Sequence, residues 1–127
     1  MKTILYLPSR SDTAERLEKS VRTAMQNNDL EVHHSLEALS QRLRQPLIGR
    51  SIVILLADNE SQLEALTGIS ALLDSFIIIL ILPDSDRLTI SKAHTFKPRF
   101  FAIMNEDFKD VVLVVKNIIY QNSGIQL

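Results

Sequence analysis

Ile52-Val53-Ile54-Leu55-Leu56-Ala57 and, further along, Phe76-Ile77-Ile78-Ile79-Leu80-Ile81-Leu82 are apolar runs without alternation. A strand with one wet face alternates apolar and polar residues, whereas a strand covered by helices on both faces does not. The first run ends at Asp58-Asn59 and the second at Pro83, where a ladder cannot continue. Both read as central strands of a parallel sheet, with Ile54 and Ile79 in the core.

Outward from these runs, strand and helix patterns take turns. Ile4 to Leu7 is a short apolar strand. Asp12 caps a helix, with Glu15 in capping-box spacing and Ala14, Leu17, Val21, Ala24 and Met25 on its inner face. Asn27-Asn28-Asp29 ends it. Leu30-Glu31-Val32-His33-His34 alternates, as an edge strand does. Ser35 caps a second helix with Leu36, Leu39 and Leu43 inward, closed by Pro46 and Gly49. Ser61 and Glu64 form a further capping box that opens a helix carrying Leu63, Ala65, Leu66, Leu72 and Leu73. Asp84 to Asp86 cap a short helix over 87–95, and Phe100 to Met104 is a fifth strand. Asp107 caps a last helix from Phe108 to about Gln121, closed by Gly124.

The order is (βα)5. Alternating strands and helices imply right-handed crossovers and a parallel sheet. Two-sided burial of the first, third and fourth strands, with the second at an edge, predicts a three-layer α/β sandwich. This is the flavodoxin-like strand order 2-1-3-4-5.

Composition narrows the function classes. The chain has 127 residues, the size of one ordinary domain over 1–127, and 46% of them are hydrophobic. It contains no cysteine, which excludes disulfides, thiolate metal ligands and thiol redox chemistry. Fourteen basic and 15 acidic residues nearly cancel, so a nucleic-acid polyanion is not the expected partner. No apolar run approaches the about 20 residues of a membrane span. The apolar stretch near Met1 is too short for a secretory leader, so a cytoplasmic location is expected.

In length, (βα)5 order and element spacing the whole chain resembles the receiver domains of two-component response regulators. That resemblance implies a phospho-accepting carboxylate after the third strand and an acidic magnesium-binding pair after the first. It also implies a Ser or Thr after the fourth strand and a Lys after the fifth. The acidic pair falls near Pro8 and Ser9, which supply no carboxylate. Asp12 lies later, as a helix cap. The hydroxyl position falls on Leu82 or Pro83, with Ser85 beyond it in the turn. The Lys position falls on Asn105, followed by Glu106 where receivers usually carry Pro. Lys97-Pro98 precedes the fifth strand and so belongs to the opposite end of the sheet. The acceptor position is Ala57 or Asp58, depending on one residue of register. The whole resembles a degenerate receiver, a pseudo-receiver without its charged site.

Other constellations carry less. Ser9, Ser11 and Thr13 follow the first strand like a phosphate loop, but without glycine, and Arg10 is the lone cation there. His33 and His34 are strand neighbours that face opposite ways and cannot chelate together. Asp84, Asp86, Glu106 and Asp107 share the carboxyl edge as turn and cap residues. On the last helix Leu113 and Tyr120 stand opposite the core stripe, flanked by Lys109 and Lys116 at the same spacing, as a small partner surface would.

The expectation is a non-enzymatic signalling or regulatory module working through protein–protein contact, without phosphorylation, cofactor or metal. Homodimerisation through the fourth helix, fifth strand and fifth helix is one form of that contact. Two alternatives stand beside it: an atypical phospho-accepting receiver using Asp58, and a flavodoxin-type small-molecule or nucleotide binder using the Ser9–Thr13 loop.

Overall fold

A computed structural model describes residues 1–25, 29–47, 49–104 and 107–122. In chain order the elements are β1 (Lys2–Tyr6), α1 (Asp12–Met25), β2 (Asp29–His33), α2 (Leu36–Leu43), β3 (Ser51–Leu56) and α3 (Glu60–Thr67). A 3-10 turn (Ser70–Leu73), β4 (Ile77–Leu82), α4 (Arg87–His94), β5 (Phe100–Ile103) and α5 (Lys109–Gln121) complete the chain. The five strands pair in the order β2-β1-β3-β4-β5, and every pairing is parallel. This is the predicted flavodoxin-like α/β architecture.

Period-two alternation in the buried strands explains the unbroken apolar runs. Leu5, Ile52, Ile54, Leu56, Ile77, Ile79 and Ile81 enter one core layer, which α1 and α5 cover with Leu17, Val21, Val111, Val115 and Ile118. Ile4, Tyr6, Val53, Leu55, Ile78, Leu80 and Leu82 enter the other, closed by Leu39 of α2, Leu63 and Leu66 of α3 and Ala93 of α4. Each face of the sheet takes an apolar residue at alternate positions, so a strand covered twice is apolar along most of its length, with small polar residues, Thr3 and Ser51, buried only at its start.

The edge strands look different. β2 is nowhere fully buried, and its Glu31 draws the charges of the neighbourhood together. Arg42 of α2 donates to Glu31 Oε1 at 2.7 Å, Lys2 Nζ lies 2.6 Å from Oε2, and His33 Nε2 is 3.2 Å from Oε1. The Arg42 hydrogen bond comes first among the causes that hold the Glu31 carboxyl at about 2. A charged edge of this kind also discourages pairing with another strand.

Helix starts depart from the predicted caps in three places. Ser11, not Asp12, caps α1: its hydroxyl accepts from Ala14 N at 3.1 Å and its carbonyl from Glu15 N at 2.9 Å. Asp12 is already the first helical residue, where its charge suits the helix dipole. Asn59, not Ser61, caps α3, its Oδ1 accepting from Gln62 N at 2.8 Å from an extended backbone. Asn, Asp and Ser cap about equally well, so residue type alone does not choose between Asn59 and Ser61. Asp107 accepts from Lys109 N at 3.1 Å, a turn contact two residues on, and α5 starts at Lys109 with Phe108 buried before it. Ser35 caps α2 as predicted, accepting from Ala38 N.

The predicted third helix is also two pieces. α3 stops at Thr67, capped by Gly68, and Leu73 enters the core from the 3-10 turn, while Ala65 faces solvent. Asn27, Asn28, Asn105, Glu106 and Gly124 lie outside the described residues.

Candidate functional site

Parallel strands present their carboxyl ends along one edge, where ligands of such sheets bind. Here that edge is built from Leu7, Pro8 and Ser9 after β1, Ala57 and Asp58 after β3, and Pro83 and Asp84 after β4. Ala57 still belongs to the sheet: it is fully buried and its N–H donates to Ile81 O at 2.9 Å. Asp58 is the first residue past the ladder. The Ser9 hydroxyl donates to Asp58 Oδ2 at 2.9 Å, and Oδ1 is buried without a hydrogen-bond partner among the described residues.

Tyr6 and Gln62 join this edge, and nothing in the sequence pattern singled them out. The Tyr6 hydroxyl donates to Gln62 Oε1 at 3.1 Å. Burial, and then the charge of Asp58, push the Tyr6 phenol above its ordinary value. Tyr6 occupies an apolar strand position, so only its contacts reveal that its polar tip meets the site.

Of the Ser9–Thr13 loop, Ser9 and Arg10 line a shallow cleft of about 330 Å³. Arg10 and His34 meet there with two carboxylates, Glu15 and Glu18, which oppose binding of a phosphate. Ser9 and Ser11 are already engaged, with Asp58 and the α1 amide respectively.

The adjacent His33 and His34 have separate partners: His33 meets Glu31, and His34 Nδ1 lies 3.0 Å from Leu7 O. Among the described residues no three His, Asp or Glu side chains group closely enough to hold a metal ion. Asp84 accepts from Asp86 N at 3.0 Å within its turn. A hydrogen bond from the Thr89 hydroxyl, ahead of that amide, holds its carboxyl below the usual range.

The outer face of α5 is as drawn from its sequence. Leu113 is 58% and Tyr120 50% exposed, with Lys109 and Lys116 exposed beside them, while Val111, Val115 and Ile118 are buried. Leu88, at the start of α4, is 73% exposed and was not singled out by periodicity. α4 and α5 lie on opposite faces of the sheet and flank β5, whose residues are all half-buried.

Two solved structures share this architecture. A putative pilus assembly-related protein from Burkholderia pseudomallei superposes with a TM-score of 0.67 at 15% identity, covering 95% of this chain and 90% of its own. A response regulator receiver domain from Rhodospirillum rubrum superposes with a TM-score of 0.62 at 13% identity, covering 98% and 96%. The chain therefore has a receiver-like fold. No protein-family model and no curated protein matches it. No helix among the described residues is long and apolar enough to cross a membrane.

Proposed function

We propose that this chain is a non-enzymatic regulatory module, a pseudo-receiver that works by protein contact and does not accept a phosphoryl group. The observation that carries the reading is the state of Asp58. Its carboxylate is engaged by a neutral hydroxyl, Ser9, at the place where a receiver needs a metal-binding acidic pair. Phosphoryl transfer concentrates negative charge that a cation must neutralise. Pro8 and Ser9 offer no carboxylate for one.

Contact is assigned to the outer face of α5, where Leu113 and Tyr120 supply apolar anchors and Lys109 and Lys116 a charged rim. The occupant is a protein partner, or a second copy of this chain meeting the same face. The test is the double variant Leu113→Ser with Tyr120→Ser. After circular dichroism confirms its fold, sedimentation and pulldown from native lysate should show lost self-association or a lost partner. A folded variant that keeps its oligomeric state and every partner excludes this surface.

A second reading, a phospho-accepting receiver, is favoured by one feature: Asp58 stands first past the ladder that ends with Ala57, with Oδ1 uncommitted.

A further inference from the structure

At the amino edge of the sheet, Arg50, Lys97 and Arg99 line one cleft of about 310 Å³, walled by Phe76, Pro98 and the start of β4. Arg50 precedes β3 and Arg99 precedes β5, and these two strands flank β4 in the sheet. The strand order therefore gathers cations that lie far apart in sequence. No carboxylate lines the cleft. Among the described residues none of the three cations forms an ion pair. Like charges gathered without a counter-charge repel one another, and an anion relieves that repulsion.

Lys97 adds an independent observation. Among the described residues it is the one non-glycine with positive φ, at 50°. It stands two residues past the α4 cap Thr95, one beyond the position where helices most often put glycine in this conformation. It also precedes Pro98, which disfavours helical backbone at the preceding residue. A lysine is costlier than glycine there, and it is the residue that brings the third charge to the cleft.

The chemistry of the walls separates the anions. Phosphate sites typically offer free backbone amides from glycine-rich loops or helix starts. Here Lys97 N donates to His94 O at 3.1 Å and Arg99 N to Ile78 O at 2.8 Å, and Pro98 has no N–H. What the cleft offers is two guanidinium forks that match carboxylates, one ammonium, and the apolar surfaces of Phe76 and Pro98. We propose that this cleft binds an acidic segment of a partner protein, with carboxylates on the cations and an apolar side chain against Phe76 and Pro98. The inference rests on the protein-contact reading and adds contact residues that the α5 face does not share.

The experiment titrates the purified full chain with a labelled peptide repeating Asp-Glu-Leu and follows backbone amide NMR shifts. Shifts should centre on Arg50, Phe76 to Ile78 and Lys97 to Arg99, and binding should weaken markedly as salt rises from about 0.02 to about 0.3 M. Arg50→Gln with Arg99→Gln should fold normally and bind about tenfold or more weakly. Lys97→Gly should keep or raise the melting temperature yet bind more weakly, an outcome a purely structural lysine would not give. Absent binding, shifts centred elsewhere, undiminished binding by the folded variants, or equal shifts with inorganic phosphate alone would each overturn the proposal. Because purified protein and peptide suffice, failure here leaves the Leu113 and Tyr120 test standing, and failure there leaves this one.

Discussion

The Ser9 hydroxyl donates a 2.9 Å hydrogen bond to Asp58 Oδ2, joining the ends of β1 and β3 across the carboxyl edge of the sheet. If the bond is structural, Ser9→Ala and Asp58→Ala should not be additive. A double-mutant cycle in urea should return a coupling of about 0.5–1.5 kcal/mol, toward the lower end because the pair is exposed. A coupling indistinguishable from zero would mean that Asp58 is held by nothing across the edge.

Ile54 and Ile79 are register partners on adjacent central strands, both fully buried in the layer beneath α1 and α5. Truncation of either to Ala should cost about 2–5 kcal/mol in denaturant melts. A cost under about 1 kcal/mol would contradict their place in the core.

Glu31 gives the fold a pH signature. Its carboxyl is lowered from 4.5 to about 2, first by the Arg42 hydrogen bond. A depressed carboxylate stabilises the folded state above its ordinary value, and that contribution fades as pH falls through the folded value. The stability advantage of the native chain over Glu31→Gln should be full above about pH 4.5 and shrink steadily toward about pH 2. Urea midpoints at successive pH values measure it, and a gap independent of pH would show that the Glu31 network contributes nothing.

Much of the fold was legible because two-sided burial leaves a plain mark. The runs around Ile54 and Ile79 could only be central strands, and the alternation at Leu30 to His34 set β2 at an edge. Helix starts were less legible, because Ser, Asp and Asn cap almost equally well. Ser11 and Asn59, rather than Asp12 and Ser61, make the cap hydrogen bonds. The break at Gly68 was hidden because Leu72 and Leu73 continue an apolar pattern across it. The site was half legible. Pro8 and Ser9 could be placed by strand order and the acceptor position only to within one residue, Ala57 or Asp58, while Leu113 and Tyr120 were placed by helical period. Tyr6 looked like any core residue, and the Arg50, Lys97 and Arg99 cleft exists only through sheet topology.

The central claim, a receiver-like fold that signals without phosphorylation, meets its most direct test in intact-mass spectrometry after incubation with magnesium and a small phosphodonor. The account predicts an unchanged mass for the native chain and for Asp58→Asn alike. A gain of one phosphoryl group that disappears in Asp58→Asn would contradict it and make Asp58 a working acceptor.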